Sequence, residues 1–331
     1  MSQELLQYKN FRLTELKNIY NNNCKIAVQY YNNIINLILR TRAFNKPQLI
    51  NSVKSVLAST ISNLTNKYNL DILAVQNFVP KQIKIDKAKK ALLVGINYTG
   101  TQNELFGCIN DVNSIKERIT TKGFTNINIL TDLTSKKPIK VNILAEFKNL
   151  LINSQAGDLL FFLYSGHGSY ILDKNNDETD GFDEVIVTSD LQAITDDELK
   201  TIIQQNLKQD VTLFAMFDSC FSGSVLDLRY QYMDSLNYDN YTENSKQAIT
   251  IGNVFMISGC TDKQTSADAV FNNKPNGAMT WSLLESLKQN QNVNWRELVK
   301  SMRSLLKTSQ FTQIPQFSSG SFVNIDSPIF I

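Results

Sequence analysis

The stretch Leu159-Leu160-Phe161-Phe162-Leu163-Tyr164-Ser165-Gly166-His167-Gly168-Ser169 opens as an unbroken apolar run and closes on a histidine between two glycines. A run of that length and type is the mark of a strand buried on both faces. His167 is the only histidine in 331 residues, so any chemistry here that needs an imidazole uses it. A second run, 211–217, ends in Asp218-Ser219-Cys220-Phe221-Ser222-Gly223. A histidine and a cysteine thus each follow a predicted strand. In an open α/β sheet the carboxyl ends of the strands line the ligand crevice.

Outward from these two runs the pattern alternates. Strands are predicted at 91–96, 127–130, 159–164, 211–217 and 254–258, with a hairpin strand at 185–188. Helices are predicted at 111–121, 139–152, 196–206, 278–289 and 295–307. The alternation implies an α/β fold with a mostly parallel central sheet flanked by helices. Residues 1–80 differ: apolar residues recur at helical spacing and glycine is absent, which predicts a helical N-terminal extension. The proline-led basic stretch 81–90 reads as a linker, leaving 91–331 as the main domain. Residues 228–250, rich in Tyr and Asn and without periodicity, read as a long loop.

With 33 Lys and Arg against 31 Asp and Glu, the net charge of +2 suggests neither a nucleic acid nor a membrane surface as partner. No segment approaches the roughly 18 apolar residues of a membrane span. The first thirteen residues carry charges and no apolar core, so no signal peptide is expected. The four cysteines, Cys24, Cys108, Cys220 and Cys260, form no CxxC clip, and with one histidine a structural zinc site is not expected. Scattered thiols in a chain this long fit a reducing, cytoplasmic setting.

A thiol peptidase needs a thiolate and an imidazole that takes up the thiol proton and later hands it to the leaving amine. A lone cysteine at a strand end is more often buried and inert. The two residues together say more, because caspases carry their histidine about 50 residues upstream of the cysteine. Here Cys220 follows His167 by 53 positions.

At this point the chain resembles a family. Tyr164-Ser165-Gly166-His167-Gly168 and Asp218-Ser219-Cys220-Phe221-Ser222-Gly223 look like the two catalytic blocks of metacaspases, caspase-fold cysteine peptidases. Residues 91–98, 105–112, 180–184 and 257–268 resemble four further blocks in the same order. The resemblance runs from about Ala91 to the C-terminus and implies a caspase-like fold. It implies His167 and Cys220 as a catalytic dyad, with the Gly168 and Cys220 N–H groups stabilising the oxyanion. It implies no third catalytic member. One departure is Phe221, where many metacaspases have His.

Asp218, two residues before the thiol, would repel an acidic substrate side chain and suits a basic one. The resemblance implies that Asp111 and Asp218, with Ser165 beside them, line a pocket for Arg or Lys before the scissile bond. The structural alternatives are that Asp111 opens its helix and Asp218 bonds a nearby amide. A second acidic set follows. Calcium takes six to eight oxygen ligands, and calcium-dependent metacaspases place an activating site on aspartates that match Asp180 or Asp183, Asp196, Asp197 and Asp227. Thr195-Asp196-Asp197-Glu198 is also a helix N-terminus signal in its own right. The loop at 173–177 lacks the continuation of an EF-hand.

A protease cutting after basic residues could cut itself at Lys81, Lys84, Lys87, Lys89 or Lys90 in the linker, or at Arg229 or Lys246 in the 228–250 loop. Residues 1–80 would then be a removable pro-region. With what the resemblance implies, a monomer stimulated by calcium, the expectation is a cytoplasmic cysteine endopeptidase of protein or peptide substrates, cutting after Arg or Lys through a thioester. The alternatives are a paracaspase-like protease and a catalytically silent caspase-fold scaffold. An Asp-specific caspase is disfavoured because its Q-A-C-x-G block is absent.

Overall fold

The apolar runs become strands because both of their faces are covered. Alternate residues of the predicted 159–164 strand, Leu159, Phe161 and Leu163, enter one buried cluster, while Leu160, Phe162 and Tyr164 enter another. A strand covered on both sides has no polar face to alternate with, hence the continuous apolar run. The computed structural model describes residues 3–41, 45–77, 87–172, 182–220, 225–232, 241–244, 247–259, 268–271, 274–321, 323 and 325–331. It divides into two compact units, Met1–Pro80 and Lys81–Ile331.

The first unit is a pair of long helices, α1 (Gln3–Arg40) and α2 (Lys46–Asn77). They are held by a stacked Tyr20–Tyr68 pair with ring centres 4.6 Å apart and by a 3.0 Å hydrogen bond between the Tyr20 and Thr65 hydroxyls. Leu16 and Val75 are its buried apolar residues among those described, while Ile26, Leu37, Val56 and Leu70 are exposed.

The second unit runs β1 (Lys89–Gly95), α3 (Cys108–Thr121), β2 (Asn126–Thr131), α4 (Lys140–Ile152), β3 (Leu159–Ser165), β4 (Gly168–Leu172), β5 (Phe182–Val187), β6 (Ala193–Thr195), α5 (Asp196–Asn206), β7 (Thr212–Asp218), β8 (Tyr230–Tyr232), β9 (Tyr241–Glu243), β10 (Asn253–Ser258), β11 (Asp268–Phe271), β12 (Lys274–Gly277), α6 (Ala278–Gln289), α7 (Trp295–Thr308) and β13 (Gln316–Ser319). Its main sheet has the order β2-β1-β3-β7-β10-β13-β8-β9. The strands β2, β1, β3, β7 and β10 are parallel, and β13, β8 and β9 add antiparallel pairs at one side. Residues of α3, α6 and α7 share the buried cluster on one face; residues of α4 and α5 share that on the other. This is the expected α/β architecture.

From β1 the chain passes by α3 to β2 on one side, then returns by α4 to β3 on the other. The loops leaving β1 and β3 therefore part at a topological switch point, where open α/β sheets place their sites. Beside it, β4, β5 and β6 form a small antiparallel sheet between β3 and α5.

Three expectations change. Lys89 and Lys90 belong to β1, so the linker ends before them; the ladder with β3 reaches back to both residues. Asp111 does not open its helix, because α3 begins at Cys108 with Gly107 as the N-cap. The 228–250 segment is not all loop: β8 and β9 pair within it and extend the sheet through β13. No helix among the described residues is long and apolar enough to cross a membrane.

Candidate active site

The register between β3 and β7 pairs Ser165 with Asp218, the last residues of the two strands. The Gly166 N–H donates to the Asp218 carbonyl at 3.3 Å. His167 and Cys220 therefore leave neighbouring strand ends, and both are half-buried. The two loops touch: a Cβ on Gly168 would lie 2.0 Å from the Cys220 carbonyl oxygen, so only glycine lets the backbones come this close. Among the described residues, Cys24, Cys108 and Cys220 form no disulfide.

The imidazole is held by the loop that follows β1. His167 Nε2 lies 2.7 Å from the Asn103 carbonyl oxygen, and the Tyr98 ring packs against the imidazole with centres 4.7 Å apart. A carbonyl can only accept, so Nε2 carries a proton, and Nδ1 is the ring nitrogen left to exchange a proton with a thiol. The Asn103 contact is invisible in the sequence because it uses a backbone group, which every residue has.

At the same strand ends, two carboxylates converge. Asp111, fully buried on α3, accepts from the Ser165 hydroxyl at 2.8 Å, from the Asn276 amide at 3.1 Å and from the Gly277 N–H at 3.0 Å. Asp218 accepts from the Thr280 N–H at 2.8 Å. A Cβ on Gly277 would lie 2.2 Å from Asp218 Oδ2 and 2.8 Å from Asp111 Oδ2, so both acids face this one glycine. Gly277 is also the N-cap of α6, whose first turn offers partial positive charge. Asp218 does bond a nearby amide, as its structural alternative holds; a carboxylate retains further acceptor positions while doing so. Burial and the Asp218 charge push the Asp111 carboxyl well above the usual carboxylate range, against the pull of its donors. Asn276 and Gly277 join this cluster from β12, and no sequence block had pointed to them.

A second acidic cluster lies where β5 meets the start of α5. Carboxylate oxygens of Asp183, Asp196 and Asp197 all lie within 4.8 Å of one another. Thr195 and Glu198 form a capping box, with the Thr195 hydroxyl accepting from the Glu198 N–H at 3.1 Å and the Thr195 N–H donating to Glu198 at 3.0 Å. That box caps the helix, and Asp196 Oδ1 adds one bond there by accepting from the Asp197 N–H at 2.7 Å. Asp196 is buried, its Oδ2 has no hydrogen-bond partner, and burial together with the charges of Asp227, Asp183 and Asp197 pushes its carboxyl up to about 7. Crowded acids with an unpartnered buried oxygen fit a hard cation that takes oxygen ligands. Asp227 is near enough to act on Asp196 but pairs with Lys200 at 3.1 Å. Asp180 lies outside the described residues, as do Lys81, Lys84 and Lys246.

The remaining processing candidates divide. Lys87 is exposed. Lys89 donates to the Lys122 carbonyl at 2.7 Å and Lys90 pairs with Asp158 at 2.8 Å, both from within β1, so neither offers the free extended segment that a peptidase cleft takes. Arg229, just before β8, is half-buried and donates to the Gln247 carbonyl at 3.1 Å.

The comparisons with known proteins identify the family. The family model described as "Metacaspase, peptidase C14 domain" matches residues 89–229, which hold His167 and Cys220. Metacaspase-1 of Candida albicans is 35% identical over 304 residues, covering 74% of this chain and 68% of that protein. Metacaspase-1 of Schizosaccharomyces pombe is 33% identical over 308 residues, covering 77% and 72%. A crystal structure of a Geobacter sulfurreducens protein superposes with a TM-score of 0.56 at 24% identity, covering 74% of this chain and 98% of that one, which speaks for the fold alone. The family match, the relatives and the paired strand ends lead to one conclusion: the chain belongs to the metacaspase family of cysteine-type peptidases.

Proposed function

We propose that this metacaspase is an endopeptidase that cuts protein substrates after Arg or Lys, with His167 and Cys220 as its dyad. The observation that carries the specificity is the convergence of Asp111 and Asp218 on Gly277 beside the strand end that bears Cys220. Two buried acids side by side repel an acidic side chain and are relieved by a guanidinium or ammonium group. In the reaction the thiol proton passes to the His167 imidazole, and the Cys220 sulfur adds to the scissile carbonyl carbon. The Gly168 and Cys220 N–H groups receive the charge on the oxygen. The C–N bond then breaks as the imidazolium gives its proton to the amine, leaving a thioester. Water, deprotonated by the imidazole, hydrolyses the thioester and restores the thiol.

Calcium is the proposed activator, held by Asp183, Asp196 and Asp197 with Asp227 close by. It would neutralise this acid cluster; the peptide chemistry is left to the dyad. Self-processing would separate residues 1–80, with Lys87 the described candidate. Peptides ending in Arg, Lys or Asp, assayed in calcium and in chelator, test the reading. It requires release after Arg and Lys alone, lost in Asp218→Asn and dependent on calcium. Equal release after Asp would overturn the pocket assignment.

A further inference from the structure

Two tyrosines close a ring of hydrogen bonds around the peptide groups of His167. The His167 N–H donates to Tyr98 Oη at 2.9 Å, and Tyr98 Oη lies 2.6 Å from the Val187 carbonyl. Tyr164 Oη lies 2.7 Å from the His167 carbonyl, and the Val187 N–H reaches it at 3.2 Å. The Val187 N–H also reaches the His167 carbonyl at 3.0 Å. Each phenol has one proton to give. Tyr164 Oη also lies 2.7 Å from the Val187 carbonyl; with Tyr98 accepting from the His167 N–H and donating to that carbonyl, Tyr164 is left to donate to the His167 carbonyl. The hydroxyls themselves are 3.1 Å apart.

The arrangement costs the chain something at two places. Tyr98 has φ 51°, in the left-handed region that a bulky residue seldom occupies. A Cβ on Gly166 would lie 2.7 Å from Tyr164 Oη and 2.9 Å from Tyr98 Oη, so the residue before His167 can carry no side chain. Backbone strain of this kind persists where surrounding structure holds it, and it gathers at functional sites. Both phenols are pushed above their usual range by burial, so both hydroxyls stay protonated at neutral pH.

We propose that Tyr98, with Tyr164 as its counterpart, is a positioning residue for His167: the loop after β1 sets the backbone of the histidine through the Tyr98 hydroxyl and the tilt of its imidazole through the Tyr98 ring. The proposal rests on the reading of His167 as the acid–base group. It accounts for the Tyr at 98, the Tyr at 164 and the Gly at 166 by one device.

The test uses the full chain with Tyr98→Phe, Tyr164→Phe and His167→Ala. It reads kcat and KM on an Arg peptide, the pH dependence of Cys220 alkylation by iodoacetamide, and thermal unfolding. Tyr98→Phe keeps the ring and loses the hydroxyl. Its kcat is expected to fall about 10-fold or more, the scale on which small misplacements act, with KM within about 2-fold because the acid pocket is untouched. Its alkylation profile is expected to move toward that of His167→Ala. A purely structural role would lower the unfolding temperature and leave the profile where it was. A folded Tyr98→Phe whose kcat and alkylation profile match the wild type overturns the proposal. Should Tyr98→Phe fail to fold, Tyr164→Phe carries the same expectation and the same contrary outcome. If His167→Ala is inactive while the tyrosine variants match the wild type, only the positioning role falls. If His167→Ala stays active, the dyad reading falls and the proposal with it.

Discussion

At Gly277 a missing methyl group is what lets two buried acids converge on one backbone position. Adding that carbon would place it 2.2 Å from Asp218 Oδ2, against a side chain already tied to the start of α6. Gly277→Ala is therefore expected to cut kcat/KM for Arg peptides by about 10²-fold or more, a loss of roughly 3 kcal/mol of transition-state binding, while Cys220 still reacts with iodoacetamide. Retained Arg cleavage would remove the acids from the pocket. Asp111 adds a pH dependence. Its carboxyl sits well above the usual carboxylate range, through burial and the Asp218 charge. An arriving cation favours the ionised form, so binding should release a proton and KM should fall as pH rises; a KM that rises with pH would contradict this. The Asp111–Asp218 relation was legible only through the resemblance. Asn276, Gly277, Tyr98 and Asn103 were not legible as partners, because an amide, an absent side chain, a phenol and a backbone carbonyl become functional only once the fold brings them to the site.

Among the elements, β5 and α5 carry the second acid cluster, with Asp183 at one strand end and Asp196 and Asp197 at the helix start. Asp196→Asn should abolish calcium stimulation without unfolding α5, because the Thr195–Glu198 box caps the helix independently. Calcium affinity in the wild type should weaken as pH falls below about 7, since protons and the cation compete for the Asp196 carboxylate. Isothermal titration at two pH values reads both, and unchanged binding by the variant would place the ion elsewhere. The strands β1, β3, β7 and β10 were legible because burial on both faces writes itself as an apolar run. The short strands β4, β6, β8, β9 and β13 were not. β13 reads Gln316-Phe317-Ser318-Ser319, mostly polar, yet all four residues are buried. Its strand state comes from pairing with β10 and β8, which no local pattern encodes. Phe162→Ala, which empties a fully buried site between β3 and α4, should cost about 3–5 kcal/mol, read by denaturant unfolding.

Over the whole molecule the two units differ in what holds them. The sheet unit has two buried clusters, one on each face. The helix pair has Leu16 and Val75 as its buried apolar residues among those described. Amides of β3 and β7 should therefore exchange only by global opening, while those of α1 and α2 exchange through cheaper local opening. Hydrogen exchange that protects both units equally would contradict this difference. The helical character of residues 1–80 was legible from apolar spacing and the lack of glycine; what those helices do is not written in that pattern. The central claim concerns the other unit and is tested most directly by one measurement: release of a fluorophore from Arg and Asp peptides by the wild type in calcium, beside Cys220→Ala. The account predicts release after Arg only, and none from the variant. Release after Asp, or release that survives the loss of the Cys220 thiol, would contradict it.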